Sequence, residues 1–149
     1  MLLKLLVAAL IPACALAQVS LKPYNVTAGL MFSISDRNKD GILTVSEIDA
    51  NFRSYDTNND GRISRFEYTD YVDKNSPQLH AFSHGLYDIY DVDDDDWLDL
   101  HDFENFHKLL DGDGDGIVVQ AEYVRYFVIV LEELEYLHGG GRRRNVHKL

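Results

Sequence analysis

The sequence predicts an all-α fold of helix–loop–helix repeats, and two observations carry that prediction. First, four segments at 36–47, 56–67, 91–102 and 111–122 space their oxygen-bearing residues in the same way. Second, apolar residues between these segments recur at intervals of three and four positions, which is the periodicity of a helix with one buried face. We refer to the segments as loops one to four.

The loops share the residue types of a cation site. Loop one reads "DRNKDGILTVSE", loop two "DTNNDGRISRFE" and loop four "DGDGDGIVVQAE". All three match the calcium-loop pattern D-x-[DN]-x-[DN]-G-x5-E in full. Position 6 of such a loop turns sharply and therefore favours glycine, which is present as Gly41, Gly61 and Gly116. Position 8 is apolar in all four loops, as Leu43, Ile63, Leu98 and Val118.

Over residues 30–130 the chain therefore resembles the EF-hand superfamily. The resemblance implies that Ca²⁺ is held by side chains at positions 1, 3 and 5, a backbone carbonyl at position 7 and a bidentate glutamate at position 12. The implied ligands are Asp36, Asn38, Asp40, Ile42 and Glu47 in loop one; Asp56, Asn58, Asp60, Arg62 and Glu67 in loop two; and Asp111, Asp113, Asp115, Ile117 and Glu122 in loop four. At position 9, Thr44 and Ser64 are further candidates, acting directly or through water.

Loop three, "DVDDDDWLDLHD", departs from the pattern at two places. Asp96 replaces the turn glycine, and Asp102 replaces the bidentate glutamate. The shorter side chain of Asp102 predicts weaker calcium binding and makes Mg²⁺ the alternative ion. The ligands implied for this loop are Asp91, Asp93, Asp95, the Trp97 carbonyl and Asp102.

The spacing of the loops predicts how they pair. They start at 36, 56, 91 and 111, so a two-loop unit repeats after 55 residues, which indicates two duplicated units. Only eight residues, 48–55, separate loops one and two, so one helix of about three turns should serve both loops and place them at its opposite ends, roughly 15 Å apart. Residues 68–90 have room for two helices, broken near 75–77. We therefore expect loops two and three to pair, and loops one and four to pair with each other or across a dimer.

Apolar stripes indicate which helix faces form the core. The residues at helical spacing are Leu30, Met31 and Ile34 before loop one; Ile48, Phe52 and Tyr55 after it; and Phe103, Phe106 and Leu110 before loop four. The last stretch, "EYVRYFVIVLEELEYL", is apolar on more than one face. It is predicted to close the core, with an exposed partner site as the alternative.

The two ends differ from the central domain, 18–138. Residues 1–17 have the layout of a secretory signal peptide, with cleavage between Ala17 and Gln18, which predicts a secreted, extracellular protein. A membrane anchor and a lipid anchor through Cys14 are the alternatives; the apolar run is short for a membrane span. Residues 139–149 form a basic tail that we expect to be flexible. Whether the acceptor triplet at Asn25 is glycosylated stays open.

Composition excludes some classes of function. The formal charge of −11 is wrong for a nucleic-acid binder, which needs clustered Lys and Arg. The chain has no H-E-x-x-H, phosphate-loop or G-x-S-x-G motif, so we predict that it is not an enzyme. His80 and His84 are four residues apart on a predicted helix and are interpreted as surface histidines.

The favoured hypothesis is a secreted calcium-binding protein that acts as a calcium buffer or as a component of a calcified or extracellular matrix. Its overall character is similar to small secreted EF-hand proteins of invertebrate shell matrices, which implies matrix protein, polysaccharide or carbonate mineral as partners. The alternative is a calcium sensor that exposes a groove to a partner protein. Against it, the chain has only two Met, whereas sensor grooves favour Met-rich surfaces.

Overall fold

The computed structural model describes residues 21–138, and in that range the chain is mainly helical. The helices are α1 (Tyr24–Ser35), α2 (Val45–Phe52), α3 (Arg65–Asn75), α4 (His80–Tyr90), α5 (Leu100–Leu110), α6 (Gln120–Glu133) and α7 (Glu135–His138), with a 3₁₀ turn at Pro77–Leu79. The short strands are β1 (Ile42–Leu43), β2 (Ile63–Ser64), β3 (Trp97–Leu98) and β4 (Val118–Val119). The predicted signal peptide, 1–17, and the predicted tail, 139–149, lie outside the described residues.

Helices begin inside the loops because loop residues cap them. Thr44 caps α2 and Ser64 caps α3, and each hydroxyl accepts a hydrogen bond from the backbone N–H of the glutamate three residues later. In return, the Glu47 and Glu67 carboxylates accept from the backbone N–H of the capping residue. This reciprocal capping box satisfies two N–H groups that the helix itself leaves unpaired.

The strands pair the loops as the spacing predicts. β1 is antiparallel to β4, with Leu43 opposite Val118. β2 is antiparallel to β3, with Ile63 opposite Leu98. Loops one and four therefore pair within one chain, and so do loops two and three. The grouping of the loops into two duplicated units stays a prediction.

A single helix connects loop one to loop two, as expected, but it is shorter than three turns. α2 has 8 residues and so spans about 12 Å at a rise of ~1.5 Å per residue. The chain then turns over residues 53–55 before loop two begins. The predicted break near 75–77 is also present, because α3 ends at Asn75 and the 3₁₀ turn starts at Pro77.

The core is built from aromatic rings that reach both loop pairs. The Phe52 ring on α2 stacks on Phe103 of α5 at a centroid distance of 4.9 Å and meets Tyr90 of α4 edge-on. The predicted stripes on α2 and α5 are buried. On α1 the prediction is wrong at one position: Leu30 is 49% exposed, because Phe32 occupies the core-facing side instead.

The C-terminal stretch closes the core against the first helix. α6 packs along α1, and the Tyr123 ring meets Phe32 edge-on at 5.6 Å. Tyr123, Phe127 and Leu131 are buried, which confirms the core-closing interpretation. Within residues 21–138 no helix has both the length and the apolar composition needed to cross a bilayer.

Candidate metal centre

The aspartate at position 1 organises each loop through the loop's own backbone. Its carboxylate accepts the N–H of position 6 in all four loops, at 2.9 Å for Asp36, 3.0 Å for Asp56, 3.1 Å for Asp91 and 2.8 Å for Asp111. The carboxylate at position 5 likewise accepts the N–H of position 7, at 2.8–2.9 Å, from Asp40, Asp60, Asp95 and Asp115. These bonds curl the chain so that the acidic side chains converge.

The curl requires left-handed backbone at two positions of every loop. Position 6 has φ of 86° at Gly41, 87° at Gly61, 67° at Asp96 and 83° at Gly116. Position 4 has positive φ as well, at Lys39, Asn59, Asp94 and Gly114. Asp and Asn adopt this region more readily than most residues with a Cβ. Asp96 therefore fills the glycine position of loop three without changing the course of the backbone.

The acidic residue at position 12 closes each loop from the helix that follows. One oxygen of Glu47 accepts the N–H groups of Arg37 and Asn38 at 2.9 and 3.3 Å, and the other accepts that of Thr44 at 3.0 Å. Glu67 and Glu122 make the corresponding three bonds. Each carboxylate thus presents both oxygens toward the loop, as a bidentate ligand requires.

Asp102 makes the same set of bonds despite its shorter side chain. Its oxygens accept from Val92 at 2.9 Å, Asp93 at 3.4 Å and Asp99 at 3.1 Å. The carboxylate therefore reaches the loop backbone, and Asp102 is buried, with only 1% of its surface exposed. The weaker calcium binding expected of this loop stays a prediction.

Carboxylate oxygens come close together in two of the loops. One oxygen from each of Asp91, Asp93, Asp95 and Asp102 lies within 4.8 Å of the others. The same holds for Asp111, Asp113 and Glu122. In loops one and two position 3 is an asparagine, and the amide of Asn38 donates to the Asp40 carboxylate at 2.9 Å, as that of Asn58 does to Asp60 at 3.2 Å. The side chains at positions 3 and 5 thus lie together in those loops too.

Burial and hydrogen bonding set the charge state of the closing carboxylates. Burial raises the pKa of Asp102, and the neighbouring Asp93 raises it further. Burial also disfavours ionisation of Glu47, but hydrogen bonds from Thr44, Asn38 and Arg37 outweigh it and lower the pKa. The difference arises because Asp102 is more deeply buried and receives no hydroxyl hydrogen bond, whereas the Thr44 hydroxyl donates to Glu47 at 2.9 Å.

The residues at position 9 act as helix caps. The hydroxyls of Thr44 and Ser64 bond to the position-12 glutamates, and Asp99 accepts the N–H of His101 at 2.8 Å. Val119 in loop four has no side-chain oxygen. The Thr44 and Ser64 hydroxyls thus contact the closing carboxylates, and their role as ligands, directly or through water, stays a prediction.

The residues at position 7 lie where the loop enters the strand. Ile42 and Trp97 belong to β1 and β3, while Arg62 and Ile117 directly precede β2 and β4. The Arg62 guanidinium lies over the Trp97 ring at 4.3 Å, so the two position-7 residues of this pair contact each other. The chain's only tryptophan therefore reports on the pair of loops two and three.

A further link between these two loops was not predicted from the sequence. The Tyr87 hydroxyl of α4 is 2.9 Å from the Ile63 carbonyl of loop two and 2.8 Å from the Asp96 carbonyl of loop three. Arg65 lies over the Tyr87 ring and is 3.6 Å from the Asp96 carboxylate. Tyr87 lies 24 residues from Ile63, and Arg65 lies 31 residues from Asp96, so spacing alone gives no signal for these contacts.

Comparison with known proteins agrees with this geometry. Residues 42–75 match the family model of an EF-hand domain pair, over less than a quarter of the chain. Calcium-binding protein A of Dictyostelium discoideum is 31% identical over 119 residues, covering 66% of this chain and 65% of that protein. The comparisons support the EF-hand calcium-binding family. The chain spans just under two thirds of the relative's length, and no solved structure matches it.

The matched segment has a definite place in the fold. It begins at β1, in the second half of loop one, and runs through α2, loop two and α3. Its two loops are neighbours in sequence, but their strands pair elsewhere, with loops four and three. The comparisons support Ca²⁺ as the ion bound, while the individual ligands named above stay predictions.

Proposed function

We propose that the chain is a secreted calcium-binding protein that buffers calcium or forms part of a calcified or extracellular matrix. The observation that carries the proposal is that all four loops close the same set of bonds between acidic side chains and backbone N–H groups. Loop three does so even without the usual glycine and glutamate. Four closed acidic loops in one small domain suit a protein whose task is to hold calcium.

The expected affinity follows from the compartment. Outside cells calcium is abundant, so EF-hand sites with Kd of about 10⁻⁴–10⁻³ M suffice for binding. Tighter sites would be filled permanently there and would contribute to folding. The predicted signal peptide and the acidic composition support the extracellular placement, and the relative's printed name supports the calcium role.

The alternative function is a calcium sensor, and one observation favours it. Phe66, at the start of α3, is 74% exposed, and Leu100, at the start of α5, is 50% exposed. Both follow the paired strands of loops two and three, so calcium binding there would act directly on the helices that carry these apolar side chains. A sensor uses such side chains to hold a partner helix.

A calcium titration of the mature chain separates the two functions. Trp97 emission and far-ultraviolet circular dichroism would be followed from chelator to millimolar calcium, with a dye for exposed apolar surface in parallel. The buffer or matrix role predicts half-saturation at about 10⁻⁴–10⁻³ M and no gain in dye binding. A folded calcium-free state that gains dye binding at micromolar calcium would contradict it and support the sensor.

The extracellular placement has its own test. Expressed with its native N-terminus in a eukaryotic cell, the protein should be recovered from the medium with Gln18 as its first residue. Mass spectrometry of the secreted chain reads this directly and also shows whether Asn25 carries a glycan. Retention of residues 1–17 on a protein found inside cells would contradict the proposal.

A further inference from the structure

A second cluster of metal-binding side chains lies away from the loops, between α3 and α4. His80 and His84 lie one turn apart on α4, on the same face of the helix. Their rings are in contact, with centroids 4.8 Å apart and planes inclined at 71°. Asp73 on α3 holds the His80 ring, because its carboxylate oxygens are 2.8 and 2.9 Å from Nδ1.

We propose that His80 and His84 form a binding site for a transition-metal ion such as Zn²⁺, with Asp73 as the residue that orients His80. The geometry is of the kind that nitrogen ligands need. Two histidines at i and i+4 present their rings to one point beside the helix, as in the helical zinc motif H-E-x-x-H. The site is separate from the calcium loops and takes a different class of ion.

The contact with Asp73 fixes which nitrogen of His80 is available. In the neutral ring, an Nδ1 that faces a carboxylate is the nitrogen that carries the proton, which leaves the lone pair of Nε2 for a metal. Histidines that bind metals commonly donate their other ring N–H to a carboxylate in this way, which sets the tautomer and makes the ring a better ligand. An isolated surface histidine has no need of such a partner.

The separation of the rings suits a shared ion. A zinc ion ~2.0–2.1 Å from one nitrogen of each ring would lie about 3 Å from each centroid. Centroids 4.8 Å apart then subtend an angle of roughly 100° at the metal, near the tetrahedral value that zinc prefers. Two protein ligands leave the other positions to water, which is compatible with the 59% exposed side chain of His80.

The charges around the pair also suit a cation. Asp73 and Asp88 face the site with negative charge, while Arg65 opposes binding but is itself paired with Asp88 at 2.7 Å. A site with nitrogen ligands should bind Cu²⁺ more tightly than Zn²⁺, and Ni²⁺ more tightly than Mn²⁺.

The test is a zinc titration of the full chain by calorimetry, with calcium present in saturating amounts so that the carboxylate loops are occupied. We expect one zinc ion to bind per chain, with affinity falling at least tenfold in His80→Gln and in His84→Gln. Asp73→Asn should keep both ligands and lose about 10–100-fold. Histidine ring ¹H–¹⁵N spectra should show zinc on Nε2 of His80.

The matched control is His101→Gln. His101 also lies beside a carboxylate, 4.0 Å from Asp93, but it is not part of the proposed histidine pair. This variant should bind zinc as the unaltered chain does, and so should a variant in which His107, His138 and His147 are all replaced by Gln. The proposal would be overturned if His80→Gln bound zinc as tightly as the unaltered chain does. It would also be overturned if either control variant lost zinc binding, or if calcium displaced the zinc. Unchanged circular dichroism of each calcium-loaded variant excludes a folding defect.

Discussion

At the scale of single residues, the loops depend on carboxylates that serve the backbone and the ion at once. Asp91 and Asp102 are buried in loop three with Asp93 and Asp95 close by. Burial raises the pKa of Asp91 and of Asp102, because a buried carboxylate without a counter-charge is less stable when ionised. A divalent cation supplies that counter-charge, so loop three has a strong drive to bind an ion.

The identity of the residue at position 12 should decide which ion loop three holds. In Asp102→Glu, the longer side chain can bind calcium through both oxygens as Glu47 and Glu67 are placed to do. We expect the calcium affinity of loop three to rise roughly tenfold, about 1.4 kcal/mol, with less gain for magnesium. Trp97, in the same loop, reports the change by its emission.

Asp102→Asn is the control for this substitution, since it keeps the size of the side chain and removes its charge. It should weaken calcium binding at loop three while Asp102→Glu strengthens it. An unchanged calcium midpoint in Asp102→Glu would show that the short side chain does not limit the site.

Removal of the Tyr87 hydroxyl should lower the stability of the protein by a defined amount. This hydroxyl is fully buried and lies within hydrogen-bond distance of carbonyls from loops two and three. Tyr87→Phe leaves those carbonyls without this donor and should lower the free energy of unfolding by about 1–3 kcal/mol. Urea denaturation of the calcium-loaded protein measures it.

Tyr126→Phe is the matched control, because it removes a hydroxyl on α6, away from loops two and three. Its free energy of unfolding should stay within about 0.5 kcal/mol of the unaltered protein. If the two variants lose the same stability, the effect belongs to tyrosine hydroxyls in general and not to the link between the loops.

At the scale of elements, the sequence predicts most of the helices because loop pattern and apolar period agree. The capping pairs Thr44–Glu47 and Ser64–Glu67 sit inside the loop motif, so each motif also marks a helix start. The pairing of loops follows from chain length, since residues 48–55 are too few for two helices. What the motif cannot supply are contacts such as Arg65 with Asp96, which depend on how α3 and α4 pack.

The packing of α4 against α7 depends on a glycine that the sequence does not single out. A Cβ at Gly85 would lie 2.8 Å from Leu137, closer than real Cβ contacts, and 3.0 Å from Leu134, which is tighter than most of them. Overpacking costs about 1–3 kcal/mol, which the better helix propensity of alanine offsets by about 1 kcal/mol. We therefore expect Gly85→Ala to lower the free energy of unfolding by about 1 kcal/mol.

Gly29→Ala gives the comparison that isolates packing from propensity. Gly29 lies in α1, and a Cβ there meets only Gln120, at an ordinary 3.6 Å. The free energy of unfolding of this variant should rise by about 0.5–1 kcal/mol. Thermal and urea denaturation measure the free energy of unfolding of both variants. If the two variants are equally stable, α4 is not tightly packed on α7 at Gly85.

At the scale of the whole molecule, the four loops are linked in two different ways. α2 joins loop one to loop two along the chain, while the strands join loop one to loop four and loop two to loop three. Phe52 on α2 also packs on Phe103 of α5, so the core connects both pairs. The loop that follows a given loop in the sequence is therefore not the loop it pairs with through its strand. Calcium binding at one loop can thus be tested for its effect on each of the two kinds of neighbour.

We expect calcium to couple the loops through the strands and not through α2. Glu47→Gln removes the closing charge of loop one and should weaken calcium binding at loop four, because β1 and β4 share their backbone hydrogen bonds. Glu67→Gln in loop two should instead weaken loop three and shift the calcium midpoint of Trp97 emission by roughly tenfold or more. Calorimetry of both variants counts the remaining sites. A shift of the Trp97 midpoint by Glu47→Gln as large as that caused by Glu67→Gln would place the coupling in α2 and the shared core.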